Sequence, residues 1–311
     1  MREQNVVELL PEGKRSLRDY YLASSVEEAI AYLSAHSGEA QIIGGGTKMM
    51  PMVQRHQALA TRIVDVSRIS ALKRVRVQDN YLVIGGAVTY AHILKKDLIA
   101  THMPVLLDIA QLVSGSPLRR EATLAGSIVH ARGNSEGAIT LIALGAEAEI
   151  ANLTGAQWMP IRALFVRPGV SRVNSSAEIV TAVRIPLLEA RQAAAMARRS
   201  PEEGNCYSSL ISAVALGLKD DDSLDWLSMA VGAPTHVPRA WNLRELANGN
   251  GETDADLRES VVETVSSHLR NGSSGDATSD RAQISAIVLK AYERALRRAR
   301  TGSSAHINSA P

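Results

Sequence analysis

Gly44, Gly45, Gly46, Thr47 and Lys48 put three flexible residues beside a hydroxyl and a cation. Glycine tolerates φ > 0 and lets backbone approach a ligand closely. Successive free N–H groups in such a turn form a nest for an anion, and a pyrophosphate suits it. The spacing matches neither GxxxxGK[ST] nor GxGxxG, so the two commonest phosphate loops are not indicated. A plain glycine turn between strand and helix is the competing reading. About 80 positions on, Thr123, Leu124, Ala125, Gly126 and Ser127 make a second small-residue turn with two hydroxyls, followed by Asn134, Ser135 and Glu136. The hydroxyls suit phosphate contact, and a carboxylate just beyond suits a ribose diol. A surface loop with a solvated Glu136 is the alternative. Together the two loops describe a ligand gripped from two sides.

The other reactive side chains fall into no comparable pattern. Cys206 is the single cysteine of the 311 residues. That excludes an intramolecular disulfide, a multi-cysteine zinc site, or an iron–sulfur cluster held by this chain alone. Nothing beside it marks an activated nucleophile. The eight histidines show no metal-ligand spacing. Asp220, Asp221 and Asp222 read as a solvated hairpin turn. Arg294, Arg297, Arg298 and Arg300 read as a solvated helix face that complements the helix C-terminus. Met49, Met50 and Met52 read as packing beneath the first loop. A formal charge of +2 gives no field for nucleic acid or an anionic membrane. One Phe, three Trp and seven Tyr are too few for a base-stacking platform. The apolar run near Ile211 to Leu218 falls far short of a membrane span. The mixed-charge start carries no apolar secretory segment, which points to a cytoplasmic setting.

The positioning elements follow from periodicity. Ser25 and Glu28 form a capping-box pattern, with Val26, Ala29, Ile30 and Leu33 at helical spacing. Ile42 and Ile43 then lead as a strand into the first loop. Arg62 to Val66 reads as a strand. Residues 74–77 and 81–84 read as a hairpin about Gln78, Asp79 and Asn80. Ala91 to Val113 is mostly helical, with a start at Pro104. Leu124 to Gly137 reads as turn-rich, and Ala138 to Leu144 as helix. Residues 148–152 and 157–161 form a second hairpin, and Glu178 to Pro186 an edge strand. Beyond a boundary between Pro186 and Asn205 come strands in 207–218 and 227–231, helices near 255–269 and 282–300, and a linker at 271–275. The fold class is α+β: a two-lobed α/β domain over 1–190 (lobes about 18–78 and 79–190), an α+β domain over 200–300, and a disordered tail over 301–311.

Four segments carry a family resemblance over about residues 18–300. They are Gly44 to Thr47, Ser116 to Ile128, Glu178 to Pro186, and Val231 to Arg239. They resemble the FAD-carrying medium subunits of molybdenum hydroxylases of the xanthine dehydrogenase and carbon monoxide dehydrogenase type. The resemblance implies a PCMH-type, vanillyl-alcohol-oxidase-like FAD domain with a smaller C-terminal domain. It implies that Gly44, Gly45, Gly46, Thr47, Lys48, Met49, Thr123, Ala125, Gly126 and Ser127 contact FAD, chiefly its pyrophosphate. Glu136 stands where the family has an Asp that contacts the adenosine half. Val180 matches an apolar position beside the flavin, and Tyr207 an aromatic one covering it. Ala125 replaces the family's first glycine, and Ser127 its asparagine. The implied function is electron transfer from [2Fe–2S] clusters of a small subunit, through FAD, to an external acceptor. Substrate oxidation would occur on a large subunit with the molybdenum cofactor, in a dimer of heterotrimers. A flavin-deficient structural subunit and a stand-alone flavoprotein oxidase are the alternatives. No catalytic residue and no metal ligand is assigned to this chain.

Overall fold

The computed structural model describes residues 17–199 except 56, 59 and 114, residues 210–242 except 235, and the helix 277–301. Residues 259, 262 and 263 are also described, as helical. The expected linker at 271–275, most of the helix near 255–269, Cys206, Tyr207 and residues 302–311 lie outside these.

A three-stranded parallel sheet comes first. Its strands β1 (Asp19–Leu22), β2 (Ala40–Ile43) and β3 (Arg62–Asp65) lie in the order β1-β3-β2. Helix α1 (Val26–Ala35) connects β1 to β2 and buries Ala29, Ile30 and Leu33. Ser25 caps it by accepting a hydrogen bond from the Glu28 amide. Helix α2 (Met49–Gln54) follows the first glycine loop directly.

The second sheet has five strands in the order β4-β5-β10-β6-β7, all antiparallel. They are β4 (Val75–Gln78), β5 (Tyr81–Gly85), β6 (Glu147–Asn152), β7 (Gly155–Pro160) and β10 (Ile179–Pro186). Asp79 and Asn80 turn the first hairpin with φ of 50° and 62°, the left-handed pair that a tight hairpin needs. Strand β4, expected to end the first lobe, belongs to this second sheet. Strand β10 is central instead of an edge, because Pro186 stands at its last position, where the missing N–H breaks little of the ladder. A small hairpin, β8 (Phe165–Arg167) and β9 (Val170–Ser171), lies between β7 and β10.

Between β5 and β6 the chain forms six short helices. They are α3 (Tyr90–Ile93), α4 (Asp97–His102), α5 (Val105–Leu112), α6 (Ser116–Glu121), α7 (Leu124–Val129) and α8 (Glu136–Ala143). Helix α7 corrects the turn-rich reading of 124–137. Thr123 and Ser135 each accept a hydrogen bond from an amide three residues on, and so start α7 and α8.

The third sheet, β11-β12-β13-β14, is antiparallel. It comprises β11 (Gln192–Arg198), β12 (Ile211–Leu218), β13 (Leu224–Gly232) and β14 (Arg239–Asn242). Every residue of β12 is buried. Ile211, Ala213 and Ala215 join the core of the second lobe, while Val214, Leu216 and Leu218 pack on helix α9 (Ala277–Thr301). Period-two alternation thus gives this sheet two apolar faces. Alanines at 194, 213 and 230 join Ile139 and Ile142 of α8 in that second-lobe core. Among the described residues no helix is long and apolar enough to cross a membrane.

Candidate functional site

The two glycine loops meet across one cleft of about 620 Å³, within the roughly 300–1,000 Å³ usual for ligand sites. Its walls include Gly44 to Met49 after β2, Thr123 and Ala125 to Ser127 at the start of α7, Glu136 at the start of α8, and Val180 in β10. Of the thirteen residues singled out in the sequence, the structure brings twelve to this cleft. Tyr207 is the thirteenth and lies outside the described residues.

Glycine is required here by close approach. A Cβ on Gly45 would lie 1.6 Å from the Glu121 carbonyl oxygen. On Gly44 it would reach ordinary contact with the Thr123 side chain, at 3.7 Å. Gly46 has φ +64° and packs against Met50. The first loop therefore lies backbone on backbone against the segment entering α7. Among the described residues, the amides of Gly44 to Lys48 make no hydrogen bond. The first turns of α7 and α8 also border the cleft, and helix N-termini favour anions.

Side-chain charge points the same way. Among the described residues, the cations Lys48, Arg132, Arg198 and Arg199, with the His130 ring beside them, border the cleft against one carboxylate, that of Glu136. Burial first, then the charge of Arg132, lowers the Lys48 ammonium below its usual value. Burial, followed by Lys48 and Arg132, pushes His130 down to about 4. An anion would relieve this crowding of cations.

The two departures in the second loop have local explanations. Ala125 lies in the first turn of a helix, where alanine's φ preference fits, so its methyl imposes no backbone strain. Ser127 donates its hydroxyl hydrogen to the Leu124 carbonyl at 2.6 Å, so it faces any ligand as an acceptor only. Tyr90, which the sequence reading passed over, lies beneath it. Its buried phenol is pushed up to about 12, by burial first, with a hydrogen bond to Ser127 opposing and Glu136 adding. A Cβ on Gly137 would come within 2.6 Å of that hydroxyl. Periodicity marks Tyr90 only as core, and no spacing rule places it under the second loop. Arg132 and Gly86 were also missed. Met49 and Met52 line the cleft.

Two arginines read as a solvated face are engaged. Arg294 donates to the Met196 carbonyl at 3.1 Å. Arg298 donates to the Ala194 carbonyl at 3.0 Å and pairs with Asp108 at 2.7 Å, with its side chain 10% exposed. Among the described residues no cluster of three metal-ligating side chains occurs.

Residues 14–188 match the FAD-binding domain of molybdopterin dehydrogenases, and the chain belongs to that family. It is 28% identical over 187 residues to the alpha subunit of the 6-hydroxypseudooxynicotine dehydrogenase complex of Paenarthrobacter nicotinovorans. That match covers 60% of this chain and 63% of the relative. It is 24% identical to the glyceraldehyde dehydrogenase medium chain of Sulfolobus acidocaldarius, over 88% of this chain and 96% of that one. Among solved structures, the fold superposes on a chain of the reconstituted CO dehydrogenase of Oligotropha carboxidovorans. The TM-score is 0.78 at 21% identity, covering 90% of this chain and 98% of that one. A chain of quinoline 2-oxidoreductase from Pseudomonas putida 86 matches with a TM-score of 0.74 at 21% identity, covering 89% and 98%. The cofactor of the family is FAD, and the chain is an oxidoreductase subunit.

Proposed function

We propose that this chain is the medium subunit of a cytoplasmic molybdenum hydroxylase and relays electrons to an external acceptor. A large partner subunit would oxidise the substrate on its molybdenum cofactor, and a small partner would carry two [2Fe–2S] clusters. Two such trimers would associate. One observation carries the reading: both glycine loops of a chain in this family converge on a single cation-rich cleft. The names of relatives support a multisubunit setting, since several are medium subunits or chains. The lone cysteine requires the clusters to reside on a partner.

The cleft residues fit FAD by their chemistry. Gly44, Gly45, Gly46, Thr47 and Lys48, with the start of α7 at Thr123, Ala125, Gly126 and Ser127, would hold the pyrophosphate. Met49 would pack against the same end. Glu136 would accept a hydrogen bond from a ribose hydroxyl, Val180 would supply an apolar wall, and Tyr207 would cover the flavin ring. FAD, when bound, supplies the one- and two-electron chemistry that joins iron–sulfur clusters to an acceptor. The residues of this chain bind and orient it, neutralise its charge and exclude water. None of them needs to act as acid or base. The domains so assigned are 1–190 for FAD and 200–300 for the C-terminal domain.

The test is the visible spectrum of the chain purified with its companions from the native host. Flavin bands, FAD released on denaturation, and iron–sulfur absorbance from co-purifying subunits are expected. A complex that contains molybdenum and iron but releases no flavin would overturn the reading and leave the chain a structural component.

A further inference from the structure

The segment 132–137, which ends in Glu136 and Gly137, is held from the C-terminal side of the molecule. A Cβ on Gly133 would lie 1.9 Å from the His236 carbonyl oxygen and 2.2 Å from that of Ala233. A Cβ on Gly232 would lie 2.0 Å from the Gly133 carbonyl oxygen. Both glycines are thus fixed by backbone contact between the two regions. A second connection is made by side chains: Arg198 Nη1 lies 3.4 Å from Glu136 Oε1.

Arg198 is the last residue of β11, an edge strand of the third sheet. Helix α9 holds that strand. Arg294 and Arg298 donate to the carbonyls of Met196 and Ala194, two and four residues before Arg198. The position of Arg198 at the cleft is therefore set by a helix nearly a hundred residues further along the chain.

The Arg198 and Glu136 side chains are 41% and 28% exposed, and such a pair adds little to stability. Its place matters more. Arg198 engages one carboxylate oxygen, and among the described residues Oε2 accepts no hydrogen bond. We propose that Arg198 is a positioning residue: it fixes the Glu136 carboxylate so that its second oxygen meets a hydroxyl of the bound dinucleotide. The C-terminal sheet thereby becomes part of the cofactor site. This rests on the reading that FAD occupies the cleft.

The experiment uses the full chain, stripped of FAD and titrated separately with FAD, ADP and riboflavin 5′-phosphate, with binding read by fluorescence. Variants are Arg198→Gln, Arg198→Lys, Glu136→Gln, and the double variant Arg198→Gln with Glu136→Gln. Each Gln variant is expected to weaken FAD about tenfold, within the coupling usual for contacting residues. The double variant should be no more than about twofold worse than the weaker single one. Arg198→Lys should recover part of the loss, and the loss should fall on one ligand half only. Strict additivity, unchanged FAD binding by Arg198→Gln, or equal loss on both halves overturns the proposal and leaves the FAD reading standing. A wild-type chain that binds no FAD overturns the reading and the proposal together. Should Arg198→Gln fail to fold, Arg198→Lys takes its place in the same cycle.

Discussion

Replacing Gly45 by alanine separates packing from binding when it is set beside the same change at Gly44. At position 45 the new methyl carbon would sit 1.6 Å from the Glu121 carbonyl oxygen and 2.5 Å from its carbon. A carbon and a carbonyl oxygen tolerate about 3.3 Å, so one backbone segment has to retreat by about 1.5 Å. Neither side is a flexible side-chain tip. The first loop is tied to β2, and residue 122 is tied through its own hydrogen bonds to Leu118 and Tyr90. Overpacking of side chains costs about 1–3 kcal/mol. Backbone against backbone belongs at or above the top of that range, and about 3 kcal/mol lowers the melting temperature of a chain this size by about 5–10 °C. Gly45→Ala should therefore melt early and bind no FAD. At Gly44 the methyl meets only Thr123, at 3.7 and 3.8 Å, which is ordinary contact. Gly44→Ala should melt within about 2 °C of wild type. It should still weaken FAD about tenfold, because the methyl projects where backbone has to meet phosphate. Calorimetry and FAD titration of both variants check this. A Gly45→Ala chain as stable as wild type would refute the close approach of the loops, and a Gly44→Ala chain with full FAD affinity would refute the cradle.

Three further outcomes follow from single contacts. Arg298→Ala leaves Asp108 without its partner and removes the hydrogen bond to the Ala194 carbonyl of β11; it should lose about 2–3 kcal/mol in denaturant unfolding, since Asp108 is 23% exposed and not wholly stranded. Tyr90→Phe removes the buried hydroxyl beside Ser127 and should lose about 1 kcal/mol by the same measurement, with little change in secondary structure by circular dichroism. His130 is held at about 4 against an ordinary 6.5, so the unfolded chain takes up a proton that the folded chain refuses. Its contribution is complete above pH 6.5 and lost as pH falls from 6.5 to 4. Allowing for its partial exposure, wild type should lose about 1–2 kcal/mol more than His130→Gln between pH 7 and 4.5, by denaturant unfolding at each pH.

Local chemistry made part of this molecule legible. Ser25, Asp79-Asn80 and the apolar run from Tyr81 to Ile84 act within a few residues, and the elements they announce formed where they were expected. The second loop lines the cleft, as its small polar residues suggest, but it also forms the first turn of a helix where a turn-rich stretch is expected. Small residues from Ala125 to Ser127 carry no helical periodicity, and the start is set by one hydrogen bond from Gly126 to Thr123. Strand β10 was misplaced at an edge because Pro186 reads as an edge signal unless its register is known. The arginines of α9 were misread for a different reason. Their spacing fits a solvated helix face equally well, and only the third dimension brings Arg294 and Arg298 to the carbonyls of β11.

The same distinction explains why the cleft needs the C-terminal sheet. Its first loop follows β2 of the first sheet and its second opens helix α7, and such loops carry little apolar surface of their own to hold them. What fixes them is backbone contact with little slack, at Gly45 against Glu121 and at Gly133 against Ala233 and His236. Contacts of this kind admit no side chain and so cannot drift far without breaking. They tie the first loop to the second, and the second to the sheet that α9 braces. A change at Arg294 or Arg298 should therefore be felt at Glu136 through β11, although neither arginine borders the cleft.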